Sequence, residues 1–181
     1  MKRALLMILA SFFLAASCAK EDSGYQKQVS SIEKFVSSET TADENVVATW
    51  SGDIVRLTYP QKGVETGSEK AGENALVKMT YSGYVFGGSL NAKNIFATND
   101  ISVAQSLGFD TSDPSAFEPA VISLADKSVL EGLRKGLVGV CAGEKCTVVF
   151  PSRYGMGDRI IGTIPASSAL AFEIKVIDIE N

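Results

Sequence analysis

Between residues 25 and 38 the apolar side chains are Tyr25, Val29, Ile32, Phe35 and Val36, in steps of three and four that put them on one face of a helix. Such a face either packs on the chain's own domain or docks a partner, so an oligomer formed through the 25–38 helix is one expectation. After a polar linker at 39–45 the pattern changes towards strands. Residues 46–50 and 53–59 read as two strands parted by Ser51-Gly52. A turn-rich stretch, 60–74, leads to a long strand at 75–86 rich in Val, Thr and Tyr, which Gly87-Gly88 ends. Ile95-Phe96 is a short apolar touch, 97–118 a long insert with a short helix at 101–107, and 121–124 a short strand. Ser128 and Glu131 make a capping-box pattern that opens a helix to about Val138, with Val129, Leu130, Leu133 and Leu137 on its apolar face and Gly139 as its stop. Residues 145–150 are a strand and 151–168 a glycine-rich loop. In the last strand Leu170, Phe172, Ile174 and Val176 share a face. There is no internal repeat. The pattern predicts an α+β domain at 46–181, an antiparallel sheet with one main helix across it.

The first seventeen residues do not belong to that domain. Lys2 and Arg3 precede an apolar run from Ala4 to Ala16, and Ala15, Ala16 and Ser17 lead into Cys18. Small residues before a cysteine resemble the site cut by lipoprotein signal peptidase, although Ala15 stands where leucine is usual. The expectation is a lipoprotein signal peptide at 1–17 and a tether at 18–24 lipidated on Cys18, holding the protein to a membrane at the cell envelope. An ordinary cleaved signal or a short anchor is the alternative, the run being short for a membrane span. Ala19 resembles a signal for outer-membrane sorting. Lys20-Glu21-Asp22 resembles the surface-export signal of some Bacteroidetes lipoproteins.

Composition narrows the chemistry. The 181 residues include no histidine, which removes the Ser-His-Asp and Cys-His systems and the commonest metal ligand. Loss of Lys2 and Arg3 with the leader takes the 17 basic residues to 15 against 21 acidic, and the net charge from −4 to −6. An acidic domain without basic clusters is a poor partner for nucleic acid. Cys141 and Cys146 flank a turn at 142–145, so they are either a disulfide or two small buried thiols. Two cysteines without histidine do not make a metal site.

Five segments, in order, carry a resemblance. They are Val77-Lys78-Met79-Thr80-Tyr81-Ser82-Gly83-Tyr84; Val129-Leu130-Glu131-Gly132-Leu133-Arg134-Lys135-Gly136-Leu137; Gly143-Glu144-Lys145 with Val148-Val149-Phe150-Pro151; Tyr154-Gly155-Met156-Gly157 with Gly162-Thr163-Ile164-Pro165; and Leu170-Ala171-Phe172-Glu173-Ile174. Together they resemble the FKBP-type peptidyl-prolyl cis-trans isomerases over more than half of the chain. The resemblance implies a half-wrapped antiparallel sheet with a helix on its concave face, and a pocket between them for a prolyl peptide bond. The substrates would be proline-containing exported polypeptides, with no cofactor and no metal.

Carried over residue by residue, the resemblance implies a catalytic pocket of Tyr81, Phe96, Val129, Leu130, Ile164 and Phe172, with Leu133, Met156 and Tyr154 completing the substrate-binding surface. The Leu130 backbone N–H would bind a substrate carbonyl. The chain departs from the family at four places. Ala97 replaces an aspartate, Leu133 a tryptophan and Met156 a tyrosine, and Ala120 falls near an aromatic wall for which Phe117 is a candidate substitute. These changes imply weak activity, and as an alternative a non-catalytic chaperone or peptide-binding lipoprotein on the same fold.

Overall fold

The computed structural model describes residues 23–181. The segment expected to be a signal peptide, Cys18 and most of the expected tether therefore lie outside the described residues. Seven strands form one antiparallel sheet: β1 Val47–Ser51, β2 Ile54–Tyr59, β3 Leu76–Val85, β4 Ile95–Thr98, β5 Ala120–Ser123, β6 Lys145–Phe150 and β7 Leu170–Glu180. Their order is β1-β2-β6-β7-β3-β4, with β5 also paired to β3. β1 and β2 are joined by the two-residue turn Gly52-Asp53, in register Ser51↔Ile54. Gly52 takes φ 62 there, which the tight hairpin turn requires.

Three helices complete the fold: α1 at 23–42, α2 at Ile101–Ser106 and α3 at Glu131–Leu137. α3 lies on one face of the sheet, over a core that includes Ile54, Met79, Val148, Phe150, Phe172, Ile174 and its own Leu133 and Leu137. α1 lies on the other face, where Ile32, Phe35 and Val36 are buried with Val55, Leu57, Tyr84, Phe86, Val149 and Ala171. Phe35 meets Phe86 edge to face, ring centroids 5.3 Å apart. The apolar stripe of the first helix is thus buried in its own chain.

This second layer explains a feature of the pattern. Val148 and Phe150 serve the α3 face and Val149 the α1 face, so β6 is buried on both sides and ends in the apolar run Val148-Val149-Phe150. α1 also runs on through 39–42, four residues into the stretch that read as linker. The Thr40 hydroxyl bonds back to the Val36 carbonyl, and Tyr59 donates to the Glu39 carboxylate at 3.1 Å, so polar side chains are spent holding the last turn.

One expectation needs correction, and the two cysteines take one of their two readings. Ser128 does not cap α3. The cap position is Leu130, with no side-chain cap, because the Ser128 N–H donates to Asp126 Oδ1 at 2.8 Å and the Val129 N–H to the Asp126 carbonyl. Those Ser128 bonds hold the Asp126 carboxyl below the usual carboxylate range. Cys141 and Cys146 are free thiols, not a disulfide. Cys146 points into the α3 core, where burial, with the Glu144 charge adding, pushes its thiol up to about 12 and suppresses the thiolate that exchange needs.

α3 comes unusually close to β6 because it shows the sheet two glycines one turn apart. A methyl on Gly132 would stand 2.2 Å from Phe150 Cγ, and one on Gly136 would stand 2.3 Å from Val148 Cγ1. Alanine gains about 1 kcal/mol of helix propensity over glycine, whereas overpacking a tight core costs about 1–3 kcal/mol and occasionally more. The second effect wins. We expect Gly132→Ala to lower the unfolding free energy by about 2 kcal/mol in a urea titration. A stability equal to or above wild type would show that α3 can lift off the sheet freely.

Candidate functional site

The described residues bring the expected pocket side chains from five places in the chain to one end of the α3 core. Phe172 of β7 is the hub. Its ring lies 5.7 Å from Phe96, edge to face, 6.1 Å from Tyr81 and 6.0 Å from Phe150, stacked. Phe172, Ile164 and Leu133 are buried and form the floor. Tyr81, Phe96, Val129, Leu130 and Met156 pack on them while staying half-exposed, as a lip. The side chains of this cluster are apolar apart from the Tyr81 hydroxyl.

Each wall is held by local chemistry. Gly83 leaves room for the aromatic pair, since a methyl there would stand 2.7 Å from Phe96 Cζ and 2.9 Å from Phe172 Cε1. Asn99, only 5% exposed, accepts from the Tyr81 N–H at 2.6 Å and donates to the Met79 and Glu118 carbonyls. It thereby staples both ends of the 97–118 insert to β3 beside Tyr81. Asp100 caps α2 through the N–H groups of Ser102 and Val103, so the insert leaves the pocket edge in a fixed direction. On the α3 side the missing Ser128 cap has a consequence. The helix begins at the pocket lip, and the Leu130 N–H has no hydrogen-bond acceptor among the described residues.

Not every expected residue joins the cluster in the same way. Tyr154 packs on the edge of the α3 core, but its hydroxyl lies near Gly52 in the β1–β2 turn, 3.8 Å from where a side chain there would begin. The Lys135 ammonium sits 5.7 Å from the centre of its ring. Ala120 pairs with Met79 inside β5, and Phe117, in a 3₁₀ turn at Pro114–Phe117, does not pack on the cluster. Ala97 stands opposite Gly83 across the β3–β4 pair and supplies no polar group. Sequence reasoning missed Phe150, Gly83 and Asn99. Phe150 carried a signal, an aromatic residue ending an apolar strand just before Pro151; Asn99 carried none.

Comparison with known proteins follows the same lines. A family model described as FKBP-type peptidyl-prolyl cis-trans isomerase matches residues 67–177. FK506-binding protein 2 of Podospora anserina is 40% identical over 73 residues, covering 40% of this chain and 37% of that protein. Peptidyl-prolyl cis-trans isomerase FKBP9 of Bos taurus is 31% identical over 132 residues, 71% of this chain and 20% of that one. This chain thus spans well under half the length of these two relatives. Among solved structures, FkpA from Escherichia coli aligns with TM-score 0.53 at 20% identity, over 98% of this chain and 71% of that one. The peptidyl-prolyl cis-trans isomerase of Pseudomonas syringae aligns with TM-score 0.56 at 20% identity, over 88% and 96%. At that identity the two structures share the fold.

Proposed function

Because the chain belongs to the FKBP-type peptidyl-prolyl cis-trans isomerase family, we propose that it catalyses cis-trans isomerisation of Xaa-Pro bonds in exported polypeptides, lipid-anchored through Cys18 at the cell envelope. One observation carries the catalytic part: Tyr81, Phe96, Leu130, Ile164 and Phe172 meet in a single apolar cluster, with Tyr81, Phe96 and Leu130 half-exposed at its edge. The peptide bond resists rotation because resonance places positive character on nitrogen and negative character on oxygen. The twisted transition state lacks that resonance and is less polar along C–N. A dry apolar pocket therefore favours it over the planar amide, and the proline ring fills the Phe96–Phe172 walls. In this reading the Leu130 N–H, which has no acceptor among the described residues, holds a substrate carbonyl. The reaction calls for no nucleophile or general base, so a chain without histidine suits it. Each tenfold acceleration needs about 1.4 kcal/mol, within reach of such a pocket.

The basic n-region, the apolar run and the small residues before Cys18 support the anchor. A second reading, a non-catalytic peptide-binding or chaperone lipoprotein, draws on Ala97 and Met156, which stand where the family has two polar anchors.

One preparation tests both parts. The full chain, recovered from the membrane fraction of an expressing bacterium, is expected to speed cis-to-trans relaxation of short Xaa-Pro peptides above the uncatalysed rate of about one event in tens to hundreds of seconds. Phe96→Ala removes a half-exposed lip and should lower kcat/KM about tenfold or more while the chain stays folded. Cys18→Ser should move the chain to the soluble fraction with its isomerase rate kept. A folded chain without acceleration favours the second reading, and a chain that is soluble with Cys18 intact removes the anchor.

A further inference from the structure

We infer that Gln28, on α1 and outside the 67–177 region shared with the family, is a positioning residue for the pocket, acting through the loop that carries Met156 and Ile164. Its catalytic meaning rests on the isomerase reading above; its structural basis does not.

The Gln28 carboxamide bridges the two ends of that loop. Its Oε1 accepts from the Ser152 N–H at 2.8 Å, and its Nε2 donates to the Ser167 carbonyl at 2.7 Å. The loop closes the circuit itself. The Ser167 N–H donates to the Gly157 carbonyl at 2.8 Å, and the N–H groups of Gly155 and Gly157 both donate to the Ser152 carbonyl at 2.9 Å. The result is a ring of hydrogen bonds running Gln28, Ser167, Gly157, Ser152 and back to Gln28. Met156 sits between the two glycines it pins. Gln28 supplies the one link in the ring from outside 151–168.

The ring also does something the loop cannot do alone. Ser167 has φ 53, the one non-glycine residue among those described in the left-handed region. Such a conformation persists where surrounding contacts hold it. The Gln28 side chain holds its carbonyl from a firm base, since Ile32 and Phe35 of the same helix are buried against the sheet. One turn earlier, the Arg153 guanidinium lies 4.0 Å over the Tyr25 ring, and the Tyr25 hydroxyl bonds Asp53. α1 therefore grips the loop at its start and its end, while leaving its pocket side to Met156 and Ile164.

The experiment compares Gln28→Ala and Gln28→Glu with wild type in the full-length chain, measuring amide-exchange protection by NMR, affinity for an Ala-Pro peptide, and kcat and KM. If Gln28 positions the loop, Gln28→Ala lowers protection at Gly155, Gly157 and Ser167 by about tenfold while β3 and β7 amides keep theirs. The fraction of binding-competent loop falls, so Kd and KM rise about threefold to tenfold and kcat stays within about twofold. Gln28→Glu keeps the acceptor for Ser152 and lacks the donor for Ser167 at neutral pH, so it falls between. Protonation near the usual glutamate value of about 4.3 restores an O–H donor, and its loop protection should then recover relative to Gln28→Ala. Unchanged loop protection and KM in Gln28→Ala overturn the inference, as does a uniform loss across the sheet. Should wild type show no acceleration, the protection and peptide-affinity arms still decide it, so the two failures are told apart.

Discussion

Arg56→Met is expected to destabilise the protein by about 3–5 kcal/mol, read as a fall in urea midpoint with an unchanged slope. Arg56 lies on β2 between Val55 and Leu57, which face α1, so it points into the α3 layer at what the strand period marks as a core position. It is only 9% exposed. One guanidinium nitrogen, Nη1, donates to the Gly136 carbonyl at 3.1 Å and to the Val138 carbonyl at 2.7 Å, serving the carbonyls at the end of α3 that the helix itself leaves open. Its Nε stands 3.5 Å from Glu144 Oε1 without forming a hydrogen bond. Glu144, 8% exposed, accepts from the Thr58 hydroxyl at 2.7 Å and from the Cys141 N–H at 3.0 Å.

Methionine matches the bulk and removes the charge. What remains is a buried carboxylate without its counter-ion and carbonyls without their donor, and that loss exceeds anything the added apolar contact returns. Adding Glu144→Gln to Arg56→Met should recover part of the loss, because an amide keeps an acceptor for Thr58 or Cys141 and buries no charge. A single variant within about 1 kcal/mol of wild type would mean that water reaches the pair.

Phe172→Ala should cost about 3–5 kcal/mol and abolish isomerase acceleration together, since one ring supports both the core and the pocket. Phe172 is 4% exposed and touches the rings of Tyr81, Phe96 and Phe150, each such pair adding about 0.5–1.5 kcal/mol beyond burial. Phe172→Leu keeps most of the volume and should retain the fold, so kcat/KM measured on it separates lost chemistry from lost structure. If Phe172→Ala stayed folded and kept its rate, the cluster of Tyr81, Phe96 and Phe172 would not be the site.

Much of the sheet was legible because strand burial is a local signal. The β6 limits match the expected 145–150, and Leu170, Phe172, Ile174 and Val176 do share the α3 face. The resemblance grouped Tyr81, Phe96, Leu130, Ile164 and Phe172, and the structure gathers them into one apolar cluster. Ser128 misled because Ser-x-x-Glu describes a competition whose winner depends on the neighbours. Asp126 offered its own turn to the Ser128 N–H, and the helix began two residues later with its lip N–H unclaimed.

Other features had no local signal at all. Nothing near Arg56 in the sequence names the α3 carbonyls it bonds, and Asn99 is a loop residue until both ends of the insert converge on β3. Gln28 reads as a polar helix position until the loop 124 residues further on closes over it. Periodicity by itself determined which faces are apolar and in what order the elements come, because those follow from backbone geometry repeated every two or 3.6 residues. Only the tertiary structure decided which polar groups are buried and what they bond, and how closely α3 seats on β6. Those depend on atoms brought together from distant parts of the chain, and the satisfaction of a buried charge or amide is settled by the partner that arrives, not by the residue that waits for it.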